Sequence, residues 1–110
     1  MTVQTPPFLR PVQKTPQTLQ VEEALKQQFG EQVYCYRHNS VSLRLLVVDE
    51  GFRLLSQVER FNLIEPYLQQ LPQETQDDLI FVLLLAPGEE QELRYGLRYQ
   101  EFVNETPSRL

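Results

Sequence analysis

The sequence predicts a small α/β domain, α+β in its layering, with elements in the order α-β-β-α-β-β and helices covering one face of a small mixed sheet. Three observations carry this. Apolar residues recur at helical spacing over residues 17–29 and again from residue 56. Runs rich in aromatic and β-branched side chains at 33–36 and 41–48 flank a turn-forming stretch. Residues 79–86 are continuously apolar, as a strand covered on both faces has to be.

Residues 1–16 contain Pro6, Pro7, Pro11 and Pro16 and few apolar groups, so an extended arm is expected there, with Phe8 and Leu9 able to dock on a surface. Thr15-Pro16 or Thr18 can then cap a helix over 17–29. Its apolar face carries Val21, Ala24, Leu25 and Phe29, and Gly30 ends it. The first strand follows at 33–36, and Arg37-His38-Asn39-Ser40 favours the turn of a hairpin. In the second strand Val41, Leu43, Leu45 and Val47 alternate with Ser42, Arg44, Leu46 and Val48, so one face is apolar throughout and the other only towards its end. Asp49-Glu50-Gly51 breaks the strand.

The next helix sets Val58, Phe61, Ile64 and Leu68 in one stripe, widened by Leu63, Tyr67 and Leu71, and Pro66 implies a kink or a join of two short helices. Residues 72–78 read as a loop. Residues 79–86 read as the central strand, ended by Pro87-Gly88. Leu93, Tyr95, Leu97 and Tyr99 alternate with Arg94, Gly96, Arg98 and Gln100, which predicts a fourth, edge strand. The chain thus divides into an arm at 1–16, one domain at 17–103 and a flexible tail at 104–110.

Its 110 residues suit a single core, and the formal charge of -5, from 15 acidic and 10 basic side chains, repels a phosphate backbone. This argues against nucleic acid as a general partner. Arg94, Tyr95, Arg98 and Tyr99 interleave cations with aromatics, but in a strand the tyrosines face away from the arginines. No apolar run approaches the ~20 residues of a membrane span, so no membrane insertion is expected. With one cysteine and no opening leader pattern, we expect a cytoplasmic, reduced protein.

Chemistry-bearing groups are few. Cys35 and His38 are the only soft ligands and sit three apart near the hairpin tip, whereas a closed metal site needs three or four protein ligands. They read as a packed cysteine beside a surface histidine, the alternative being a site shared with a partner. As a nucleophile pair they fail, because strand side chains at i and i+3 face opposite sides. The acids Asp49 and Glu50, Asp77 and Asp78, and Glu89, Glu90 and Glu92 lie in three predicted loops. Their spacing fits no EF-hand, and they read as solvated charge. No phosphate-loop glycine pattern is present. The residues therefore point away from an enzyme and towards protein recognition.

One stretch resembles a known family. Residues 52–68 resemble, without a gap, the signature helix of BolA-like proteins, roughly F-x-G-x-S-x-x-x-R-H-x-x-V-x-x-x-L, with Phe52, Ser56, Arg60, Ile64 and Leu68 in register. Strand 43–48, helix 17–29 and strand 79–86 come in the family's order, so the resemblance covers about residues 19–87. It implies a BolA-like, KH-like fold and a non-enzymatic adaptor that pairs with a monothiol glutaredoxin and shares an iron–sulfur cluster through the signature histidine. Three departures stand out. Leu54 replaces the family glycine, Phe61 replaces the histidine, and a fourth strand is read where the family usually has a helix or a tail. The KH-type G-x-x-G clamp is also absent. The residues expected to meet a partner are His38, Arg60, Asn62, Tyr67, Arg94 and Arg98, with Cys35 and His38 as ligands of any cluster held jointly with that partner. Assembly or chaperone-like service to a larger complex is the alternative.

Overall fold

The first helix starts where its capping chemistry starts. In the computed structural model, which describes residues 14–104, Thr15 and Thr18 form a reciprocal capping box and Pro16 opens α1 (Pro16–Phe29). Gly30, at φ 74° and ψ -156°, takes a positive-φ conformation open to glycine and closes it, its N–H donating to Lys26 O at 2.9 Å. The arm therefore does not reach residue 16. Residues 1–13 of it, with Phe8 and Leu9, and the tail from 105 lie outside the described residues.

A hairpin follows, β1 (Val33–Asn39) antiparallel to β2 (Ser42–Val48). The first strand runs further than expected, and the second starts one residue later. Arg37 and His38 belong to β1, and the turn tightens to Ser40 and Val41, helped by the Asn39 side chain accepting from Val41 N at 3.0 Å. After a short 3-10 turn at Glu50–Phe52 comes α2 (Gln57–Leu68), started by a capping box between Ser56 and Glu59. It passes through Pro66 as one element, because the proline sits in the last turn. The expected loop at 72–78 is mostly α3 (Gln73–Asp78). Pro72 stands at its N-cap, and Gln76 Nε2 ties back to Leu71 O at 2.7 Å.

β3 (Leu79–Leu85) lies parallel to β2, giving a three-stranded mixed sheet in the order β1-β2-β3. Residues 79–86 are buried on both faces in their second half, but β3 is an edge strand and β2 is central. Among the described residues there is no fourth strand. Residues 93–103 form α4 (Leu93–Val103), because Tyr95, Tyr99, Phe102 and Val103 at helical spacing supply a face to bury, while Leu93 and Leu97 point to solvent at 99% and 85% exposure.

Helices consequently cover both faces, not one. Under α1 and α2 lies an aliphatic core of Val21, Leu25, Leu43, Leu45, Ile64 and Leu84 with Phe52. Under α4 lies an aromatic one of Tyr34, Tyr36, Phe81, Tyr95 and Phe102 with Leu46 and Leu83. The α+β class with helices packed on a mixed sheet holds. Among the described residues, no helix is long and apolar enough to cross a membrane.

Candidate functional site

Helix α2 decides which residues can meet a partner. Its inward line is Arg60, Ile64 and Leu68, spaced four apart and buried. The sequence pattern favours Val58, Phe61, Ile64 and Leu68. The helix is turned instead to bring a guanidinium inside, where Arg60 is 1% exposed. There it makes a fork-to-fork pair with Glu89, 2.6 and 3.0 Å, and also donates to Leu84 O at 2.9 Å and Leu55 O at 3.0 Å. Glu89, read as solvated loop charge, is likewise 1% exposed and takes the Ala86 N–H at 2.8 Å. Burial alone would raise the Glu89 carboxyl. The hydrogen bonds from Arg60 and Ala86, with the charges of Arg60 and Arg94, outweigh it and hold the group below its usual range. Arg60 is thus an internal strut between α2 and the β3–α4 connection, and it is withdrawn from the partner-binding set.

The same rotation leaves Val58 at 71%, Leu63 at 47% and Phe61 at 37% exposure, beside Leu54 at 94%. Asn62 is exposed among them, and Tyr67 is half-buried, its ring edge-on to Phe29 at 6.0 Å. Phe61, Leu68, Leu79 and Val82 border a shallow groove of about 160 Å³ between α2, α3 and β3.

Cys35 and His38 are not brought together. Cys35 is fully buried in the aliphatic core beneath α1, and burial, then the charge of Glu22, drives its thiol well above the usual range. A protonated, enclosed thiol is neither nucleophile nor ligand. His38 lies on the opposite face of β1, edge-on to Tyr36 and bonded through Nε2 to Arg44 at 3.2 Å. It is 6% exposed, inside the strand and not at the tip. Among the described residues no group of three metal-ligating side chains gathers. Cys35 and His38, on opposite faces of β1, do not fit an iron–sulfur cluster.

Arg94 and Arg98 stand on α4, not on a strand edge. Arg94 lies 4.6 Å from the Tyr95 ring centroid and bonds Glu92 at 3.0 Å. Arg98 lies 4.3 Å from the Phe81 centroid, on the sheet face away from α2.

Both real sheet edges are blunted. At β1 the outward Cys35 N–H donates to the Glu22 carboxylate at 2.9 Å, and Lys14, paired with Glu22, donates to Cys35 O at 2.8 Å. At β3 the outward Leu84 O accepts from Arg60 and from Gln57 Nε2 at 3.3 Å, and the register slips at Ile80. Edges treated this way resist strand addition.

Sequence reasoning missed Arg60 and Glu89 as a pair because 29 residues separate them. A signal existed for Arg60 alone. Phe52, Arg60, Ile64 and Leu68 share a spacing of four or eight, and all are buried. Compared with family models, with curated proteins and with solved structures, the chain matches none of them.

Proposed function

We propose that this chain is a non-enzymatic adaptor of BolA-like type that binds a protein partner through the outward face of α2. The observation that carries it is the rotation of that helix, which brings Arg60 inward and leaves Val58 and Phe61, one turn apart, together on an exposed face, with Leu63 exposed on the other flank of the buried line. Large apolar side chains paired on an exposed helix face beside a groove support an interaction site there.

The resemblance divides along the same line. The positions in register with the signature build the fold: Phe52, Arg60, Ile64 and Leu68 are buried and Ser56 caps the helix. The positions that depart, Leu54 and Phe61, face solvent or border the groove. A helix at 93–103 also removes the third departure, since the family usually has a helix or a tail there. The interior pattern is thus kept and the outward pattern altered, which supports a BolA-like scaffold with a changed docking surface. A monothiol glutaredoxin is the first partner to test. Service as an assembly factor for a larger complex uses the same surface with another partner. Cluster carriage through Cys35 and His38 gains no support from two side chains on opposite faces of β1.

The test is to co-express the tagged chain with a monothiol glutaredoxin and quantify the complex by gel filtration and visible absorption, for the parent chain and for Val58→Glu with Phe61→Glu. Loss of the complex in the double variant, with an unchanged melting temperature, supports the reading. A complex that survives both substitutions overturns the docking face. No complex with a glutaredoxin, but capture of a different protein lost in the same variant, moves the reading to the assembly-factor form.

A further inference from the structure

A second groove, of about 490 Å³, runs along the other flank of α2, between it and α1. Ala24, Tyr67, Leu71 and Pro72 supply its apolar surface and glutamines most of its polar rim. Among the described residues that line it, Glu23 alone is charged. Leu63, one turn before Tyr67 on the same flank, is 47% exposed and extends the apolar line. The groove bordered by Phe61 lies on the far side of the buried Arg60 and Ile64.

The chain joins the domain close to this second groove. Lys14 is held at the β1 edge by the Glu22 carboxylate and by Cys35 O at 2.8 Å, and Thr15 caps α1. Residue 13 is therefore attached at the N-terminal end of that helix. The groove starts at Gln20, about 6 Å along the helix axis from Pro16. A segment crossing the end of α1 has a helix width of about 10 Å to pass. The stretch from Leu9 to Gln13 can span up to about 17 Å.

Composition matches the groove as well as reach does. Phe8 and Leu9 are an adjacent pair of large apolar residues, followed by Arg10, the one charged side chain in residues 1–13. Pro6, Pro7 and Pro11 favour polyproline II backbone, whose carbonyls have no internal partner and can accept from glutamine amides. Segments of this kind dock in grooves that present aromatic rings.

We propose that residues 1–13 fold back as an intramolecular strap, with Phe8 and Leu9 on Leu63, Tyr67 and Leu71 and with Arg10 beside Glu23. The tether lets a weak contact suffice. It supplies an effective concentration on the order of 1 mM, so a contact with a Kd of about 1 mM fills the groove about half of the time. A seated strap covers Tyr67, and a partner approaching that flank of α2 has to displace it. The inference does not rest on the adaptor reading, whose Val58 and Phe61 face lies on the opposite flank.

The experiment is paramagnetic broadening in the full chain, read by NMR. Cys35 is enclosed, so a nitroxide attaches selectively to a Thr5→Cys variant. Broadening of the Ala24, Tyr67 and Leu71 amide resonances is expected to exceed that of Leu93 and Leu97, on the solvent side of α4. Adding Phe8→Ser and Leu9→Ser is expected to abolish that excess with the spectrum of the domain otherwise unchanged. Glu23→Arg, at an exposed position, is expected to reduce it. Even broadening across the surface, an excess centred on the Phe61 groove, or an excess that survives the two serines overturns the proposal. So does broadening in an isotope-labelled chain mixed with a separate nitroxide-labelled one, which assigns the contact to a second copy.

Discussion

Under α1 and α2 the sheet is closed by aliphatic side chains and one enclosed ion pair, whereas under α4 it is closed by aromatic rings with guanidiniums laid over them. Both faces contain arginine, but the residue does different work in each. Arg60 is desolvated, and although Leu55 O and Leu84 O also accept from it, its charge is balanced by Glu89. Arg44 and Arg98 keep an edge in solvent and rest on the π-face of Phe81, which has no charge to lose. One face is therefore vulnerable to loss of charge, and the other to loss of volume.

The largest effect expected is for Arg60→Ala, about 3–5 kcal/mol by urea unfolding, because Glu89 is left buried and unpaired. Replacing both partners, as Arg60→Met with Glu89→Met, should cost clearly less than the sum of the single changes, since an apolar pair of similar volume needs no charge to balance. Additive losses would mean that the pair is not coupled and that the contrast between the faces is wrong. On the other side Phe102→Ala should cost a similar 3–5 kcal/mol through the cavity it leaves against Tyr36 and Phe81, and there a second change has no charge to rescue.

Acid sharpens the comparison. The folded protein holds Glu89 below the ~4.3 of a free glutamate, so its contribution is complete above that pH and is lost as pH falls through the folded value. The stability gap between the parent chain and Glu89→Gln should accordingly be widest near neutrality and narrow on acidification below about pH 4.3. Parallel stability curves down to acid would remove Glu89 as the group responsible.

What was legible in the sequence follows the same division. Alternation in residues 42–48 named both faces of β2, and the spacing of Val21 and Leu25 named the buried side of α1. These are apolar signals repeated within one element. Two elements defeated that logic. In α4, Leu93 and Leu97 imitate a strand when read with Tyr95 and Tyr99, because these two leucines serve the solvent side. In α2 a charged residue took the interior, and the reason for it lies beyond the next strand, at Glu89. Of the candidate site residues, Asn62 was placed on the surface correctly, as were Arg94 and Arg98, though on a helix. Cys35 is packed in the core, as its residue type favours, whereas Arg60 and His38 were not read as buried, because burial of a polar group depends on partners that local spacing does not reveal.

A smaller effect separates the two kinds of polar bond in the aromatic face. Tyr36 Oη donates to Phe102 O and receives Arg44 at 3.2 Å. Tyr36→Phe removes both with little change of volume and should cost about 1 kcal/mol. A loss as large as that of Arg60→Ala would show that this face, too, hangs on a single polar group.

Arg98→Gln should have the smallest effect, about 0.5–1 kcal/mol, the worth of a cation over a ring at an exposed site. Its origin can be assigned by salt. The ion pair with Glu101 is exposed on both sides, so whatever part of the loss comes from it should disappear near 1 M salt, where screening acts within about 3 Å. Contact with the Phe81 ring involves no second charge and should persist there. Glu101→Gln should then leave stability almost unchanged at any salt, while the Arg98→Gln loss stays. If instead the loss vanishes with salt and Glu101→Gln reproduces it, Arg98 acts as a surface ion pair, and the stacking that distinguishes the α4 face contributes nothing measurable.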